Sequence, residues 1–215
     1  MKENATTLVD MLFSSAWLAV CKLRSEQEVT DGQAFYRHAC GWVESWHHQL
    51  TKAGISANSR EQMIYAVCAL LDESVLDRPL RDDGYRFWLI NPLQAKYFNT
   101  MQAGEDLWER IRNELQQTAP DPYTLTCFYR VLQLGFGGRY RARDDERRED
   151  IVQRLRQQVE TLSPMQDLSL IARSGKVRIR GRWYWLWWLG GVALLIGAWL
   201  LLSSSLQQML LQAGR

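Results

Sequence analysis

Asp72 and Glu73 are the residues of this chain best placed to do chemistry. They stand together at the end of a long apolar run, YAVCALLDESVLD (Tyr65 to Asp77). Burying a carboxylate is costly unless it is paired. Adjacent helix positions diverge by about 100°, so with Leu71 and Val75 facing inward one of the two carboxylates must lie near the edge of the buried face. Two readings stay open. A structural partner such as Arg139 or Arg141 satisfies the pair, or the pair, with Asp77 one turn on, lines a cleft that receives a basic segment of another protein.

The remaining chemistry is sparse. Gly135, Gly137 and Gly138 resemble a phosphate loop only superficially, because no Gly-Lys-Ser/Thr follows and no strand precedes them. They read as a helix end and a tight turn. Glu44 and His47 have the Glu-x-x-His spacing of carboxylate-bridged metal bundles, but such sites need a second copy on a facing helix, and the sequence has none. His38 and His48 have no Cys or Asp at ligand spacing. Cys21, Cys40, Cys68 and Cys127 are well separated and form no CxxC pair, which predicts reduced core thiols and no zinc site. No Gly-x-Ser-x-Gly elbow is present. The expectation is a protein without catalytic activity and without a cofactor.

The elements that position these residues read as helices throughout. Leu12, Phe13, Ala16, Trp17 and Val20 share one side of a helix over Asp10 to Leu23. Phe35, Ala39, Trp42, Val43, Trp46 and Leu50 mark a second after Thr30, with Gly54 as its stop. Ser59 with Gln62 has the form of a capping box, opening a third helix whose stripe of Ile64, Val67, Cys68, Leu71 and Val75 ends before Pro79. Leu80 to Ile90 has no clean period and reads as a loop with a short turn. Asn91-Pro92 starts a fourth helix, since proline lacks an amide hydrogen that would be unpaired there anyway. Gly104 marks a break, and Leu107, Trp108, Ile111 and Leu115 line a fifth. Asp121-Pro122 starts a sixth, Tyr123 to Leu134, capped by Gly135. A charged seventh runs from Glu146 to Leu162 with Ile151, Leu155 and Val159 inward. Nothing alternates with a period of two for long enough to make a sheet.

Of the chain's 26 basic and 24 acidic residues, six basic and no acidic ones lie from Arg173 onward, which leaves the first 172 residues with a net charge of −4. An acidic body without a basic stripe argues against binding nucleic acid. The basic residues flank Trp183 to Leu202, WYWLWWLGGVALLIGAWLLL, twenty residues without a charge or a proline. As a helix this stretch would span roughly 30 Å, the thickness of a bilayer's hydrocarbon core. Five Trp and one Tyr lie in it, most within its first six residues, as amphipathic rings at headgroup level do. Arg173, Lys176, Arg178, Arg180 and Arg182 just upstream predict a cytoplasmic N-terminal body and a tail that crosses the membrane. The organisation expected is therefore a helical domain over 1–162, a basic juxtamembrane linker over 163–182, a transmembrane helix over 183–202 and a short tail over 203–215. Gly190, Ala193 and Gly197 form a small-residue face on the span that suits self-association or packing against another membrane helix.

YAVCALLDESVLD, PLQAKYFNTMQAGEDLWERI (Pro92 to Ile111) and YTLTCFYRVLQLGFGGRYR (Tyr123 to Arg141), followed by one C-terminal span, resemble the TssL family, also called DotU or IcmH-like. These are inner-membrane proteins of the bacterial type VI secretion system, and the resemblance runs from about Leu8 to Leu202. It implies an all-α cytoplasmic body of two small packed helical bundles, a C-terminal anchor with its end in the periplasm, and no catalysis. The partners implied are TssM (IcmF-like) and the lipoprotein TssJ in the membrane complex, with TssK and, secondarily, TssE of the baseplate. The family's acidic pair falls on Asp72 and Glu73, and its glycine and aromatic loop on Gly135, Phe136, Gly138, Arg139 and Tyr140, as interaction or fold-defining positions. Related DotU proteins work beside an IcmF-like partner in type IVB secretion, which is the alternative setting. Two departures stand out. Thirteen residues follow Leu202, so no peptidoglycan-binding domain is expected here. LRDDGYRFWLI (Leu80 to Ile90) also differs from the tryptophan- and glycine-rich version of many relatives.

Overall fold

Apolar positions at helical spacing, punctuated by side-chain caps, turn the described part of this chain into helices. The computed structural model describes residues 4–100, 102–138, 140 and 146–162, all within one compact unit, residues 1–166. The elements are α1 (Ala5–Leu12), α2 (Ser14–Arg24), α3 (Gly32–Lys52), α4 (Ala57–Leu76), α5 (Asp83–Ile90), α6 (Leu93–Phe98), α7 (Ala103–Leu115), α8 (Pro122–Gln133) and α9 (Glu146–Leu162). Among the described residues there is no strand.

α4 is the axis of the fold. Every residue from Met63 to Leu71 is fully buried, so the helix is enclosed on all faces, as a helix apolar all round must be. α2, α3, α5, α6, α7 and α8 pack against it. On one side α3 pairs with α5 and meets α2; on the other α8 pairs with α1, α7 and α9. Both groups share α4 as their core.

Four details differ from the sequence-based expectation. The helix expected over Asp10 to Leu23 is two helices, α1 and α2, bent by 63° at Phe13. Phe13 is fully buried, its ring centroid 4.9 Å from Trp46 and 5.6 Å from Trp17. The Trp46 indole donates to the Leu12 carbonyl at 2.9 Å, which satisfies an acceptor at the end of α1. The bend lets α1 lie on α8 while α2 lies on α3 and α4. The third helix starts one turn earlier than expected, because Ser56 is the cap: its Oγ accepts from the Ser59 amide at 3.1 Å.

Leu80 to Ile90, expected as a loop, contains α5, capped by Asp82, whose carboxylate accepts from the Tyr85 amide at 2.9 Å. Gly104 is not a break but lies in the first turn of α7. The break is at Asn99, which takes the left-handed conformation at φ 51° to end α6. The starts of α8 and α9 and the inward face of α9 agree with the sequence. Asp121 caps α8 with Pro122 in its first turn, and Ile151, Leu155 and Val159 are the buried residues of α9.

Among the described residues no single helix is long and apolar enough to cross a membrane; the bent pair α1 and α2 passes that test only jointly. Trp183 to Leu202, with Gly190, Ala193 and Gly197, lies outside the described residues, as do the linker and the tail.

Candidate functional site at the acidic pair

Asp72 points into the protein and binds it together. Pro92 precedes α6 and offers no side chain to cap it, so the first amides of that short helix need an acceptor from elsewhere. Asp72 supplies it from α4: its carboxylate accepts from the Leu93 amide at 3.0 Å and the Gln94 amide at 3.0 Å. It also accepts from the Trp88 indole of α5 at 2.6 Å. Trp88 is fully buried and Asp72 is 3% exposed. Burial pushes the Asp72 carboxyl up to about 6, against the pull of the N–H donors from Gln94, Trp88 and Leu93. One carboxylate thus holds α4, α5 and α6 in register.

Glu73 does the same for the glycine-rich loop. Its two oxygens accept from the Gly137 amide at 2.9 Å and the Gly138 amide at 2.7 Å. Burial raises its carboxyl, opposed chiefly by these two amides; Asp77 adds to the rise and Arg24 reduces it. The loop's path follows from its residues. Gly135, at φ +98°, ends α8 in a Schellman turn: the Phe136 amide donates to the Val131 carbonyl at 3.2 Å and the Gly135 amide to the Leu132 carbonyl at 3.1 Å. Phe136 is then buried. The Gly137 carbonyl accepts from the Trp108 indole at 3.0 Å, and Tyr140 packs its ring 4.9 Å from Trp108. Gly138 sits at φ +52°, where a Cβ would collide with the Gly104 carbonyl and lie 2.9 Å from the Phe136 ring. Arg24 of α2 donates to the Gly135 carbonyl at 3.0 Å and lies 3.6 Å from Glu73. The loop therefore ties α2, α4, α7 and α8 at one point.

Asp77 caps the C-terminal end of α4 and is exposed. Arg139 and Arg141, the loop arginines considered as partners of the pair, lie outside the described residues. Sequence reasoning missed a third buried carboxylate, Asp82. It pairs with Arg78 at 2.6 Å, both side chains at most 4% exposed, and accepts from the Val29 amide at 2.7 Å. Arg78 in turn donates to the Gln27 carbonyl at 3.0 Å. The neighbouring Asp83 accepts from the Gly32 amide at 2.6 Å, at the start of α3. The signal for this clamp was Asp82-Asp83-Gly84, a cap pattern inside the segment taken as a loop.

The carboxylates of Asp72, Glu73 and Asp82 accept from backbone amides, an indole or arginine, an arrangement that fixes helices. Among the described residues no three His, Cys, Asp or Glu side chains gather as a metal site. Open grooves among the described residues include one of about 540 Å³ between α7 and α9, lined by Arg112, Tyr140, Arg147 and Arg154 among others, and one of about 500 Å³ between α2 and α3, lined by Leu18, Phe35, His38 and Trp42 among others. Neither is lined by Asp72 or Glu73.

A family model described as type VI secretion system protein DotU matches residues 8–205. Among solved structures, the chain is similar to type VI secretion system SciP/TssL from enteroaggregative Escherichia coli 042, with 48% identity, a TM-score of 0.64, and coverage of 79% of this chain and 98% of that one. It is also similar to the cytoplasmic domain of TssL from Acinetobacter baumannii, with 25% identity, a TM-score of 0.67, and coverage of 72% of this chain and 98% of that one. No curated protein matches the chain. The family match over residues 8–205, together with the 48% identity to a TssL structure, makes this chain a member of the DotU family of type VI secretion system proteins.

Proposed function

We propose that this protein is a structural subunit of the type VI secretion membrane complex, a tail-anchored inner-membrane protein whose helical body works in the cytoplasm by binding other proteins. The observation that carries this reading is the match of the body to a TssL cytoplasmic domain over 98% of that domain's length, combined with the twenty-residue apolar stretch Trp183 to Leu202 and its basic upstream flank. TssM and TssJ are the partners in the envelope; TssK and TssE are those of the baseplate. Asp72 and Glu73 serve these contacts indirectly, by holding α5, α6 and the Gly135–Tyr140 loop in place, while exposed Asp77 and the loop itself, with Arg139, present the surface. Gly190, Ala193 and Gly197 pack the anchor against a second copy or a TssM helix.

Alkaline carbonate extraction of bacterial membranes, paired with protease digestion of spheroplasts, tests the anchor and its direction. The intact chain should stay with the membrane, and its body should resist protease added from outside. Release by carbonate, or digestion of the body in spheroplasts, rejects the reading.

A further inference from the structure

Where α6 crosses α3, an amine and a thiol stand in contact. Lys96 Nζ lies 3.1 Å from Cys40 Sγ. The ammonium is held there by two aromatic faces, with ring centroids 5.0 Å away at Tyr97 and 5.8 Å away at Tyr36. The Tyr97 hydroxyl donates to the Cys40 carbonyl at 3.3 Å, which fixes α6 against this turn of α3. Burial, and secondarily the neighbouring Cys40, raises the Tyr36 and Tyr97 hydroxyls, so both keep their protons. Cys40 is 8% exposed, and Lys96 beside it is exposed. Cys68 and Cys127 are fully buried, and burial pushes both thiols up. Cys21 is exposed.

We propose that Cys40 and Lys96 form a peroxide-triggered covalent cross-link, a sulfenamide in which Nζ bonds directly to Sγ. The thiolate attacks one oxygen of hydrogen peroxide, the O–O bond breaks, and hydroxide leaves to become water; sulfur loses two electrons and becomes a sulfenic acid. Lys96, having released its extra proton to solvent, then attacks the sulfur. The S–N bond forms, the S–O bond breaks, and the departing hydroxide takes an amine proton as a second water. In sum, thiol and amine lose two hydrogens and one peroxide becomes two waters. The starting separation is already that of a near-attack pair, about 3–3.5 Å. The bond would staple α6, a helix of six residues, to α3, and close a long loop of chain.

The test uses the full-length chain in mild detergent, carrying Cys21→Ser to remove the exposed thiol, treated with hydrogen peroxide and mapped by mass spectrometry without reduction. The expected product in most molecules is a pair of linked peptides carrying Cys40 and Lys96, lighter by two hydrogens than their sum. It should vanish with dithiothreitol, and the thermal midpoint should rise on oxidation and fall back on reduction. Lys96→Met and Lys96→Arg, at an exposed position, should fold normally and end as uncross-linked sulfenic or sulfinic acid. The proposal is overturned if Cys40 stays a thiol, if it oxidises without a link in the parent, or if the link persists in either lysine variant.

Discussion

Replacing Asp72 with alanine is the sharpest perturbation of this fold. The change removes the acceptor for three buried donors, the Trp88 indole and the Leu93 and Gln94 amides. An unsatisfied buried donor costs about 1–3 kcal/mol, and water entering the space left by the carboxylate recovers part of it, so the loss at pH 7 is about 3 kcal/mol. That is a large fraction of the roughly 5–15 kcal/mol that holds a domain together. The pH dependence is a second, independent signature. Burial raises the Asp72 carboxyl from its ordinary 3.8 to about 6 in the folded state, so between those values the folded protein binds more protons than the unfolded chain. Stability from this group therefore falls as pH rises through the window and is level above it. Going from pH 7 down to pH 5, the parent should gain about 1 kcal/mol that Asp72→Ala does not. Other carboxyls raised by burial, Glu73 and Glu114, are common to both proteins and cancel in the difference. Urea unfolding of parent and variant, followed by far-ultraviolet circular dichroism at pH 7 and pH 5 in one detergent, measures both quantities. A loss under about 1 kcal/mol at pH 7 refutes the assignment of Asp72 as the clamp of α5 and α6, and a gap that fails to widen at pH 5 refutes the burial-raised carboxyl.

Gly138→Ala should destabilise by about 2–3 kcal/mol in the same assay, from the left-handed backbone together with the collision at the Gly104 carbonyl. Glu73→Gln should leave the fold intact but replace one acceptor oxygen with a donor, so the Gly137 and Gly138 amides should exchange hydrogen faster than in the parent while Leu93 and Gln94 do not. Asp10→Ala should cost about 2–3 kcal/mol, because Arg130, 6% exposed and bound to Asp10 at 2.7 Å, loses its paired carboxylate. Deleting the chain after Gly181 should release a soluble helical domain, detected by its helical circular dichroism and its passage to the supernatant without detergent.

The parts of the fold legible in the sequence were those governed by local rules. Asp121-Pro122 opens α8 because both residues satisfy a helix start by themselves, and the spacing of Ile151, Leu155 and Val159 alone sets the inward face of α9. What failed depended on distant residues. Apolar periodicity continues through Phe13, so nothing local marks the bend there; it is stabilised by Trp46, which is brought in by α3. α5 was hidden because its buried residues, Gly84 and Trp88, sit one turn apart among exposed ones, and its cap Asp82 is engaged by Arg78 and Val29. The importance of Asp72 and Glu73 was visible from charge at the edge of an apolar run. Their partners were not, since Trp88, Leu93 and Gly137 lie 16 to 64 residues away. The sequence therefore pointed to these two carboxylates, and packing revealed the backbone amides and the indole that donate to them.

Under the proposed function this helical body acts by holding partners and not by turning over a substrate. Cross-linking in intact bacteria, followed by purification of the full chain from detergent-solubilised membranes and identification of what is attached, tests it most directly. TssM and TssJ should be recovered together with TssK, with TssK yield falling in Gly138→Ala at temperatures where the loop is loosened and the anchor is unaffected. Recovery of the chain alone, or in undiminished complexes when the loop is disrupted, would contradict it.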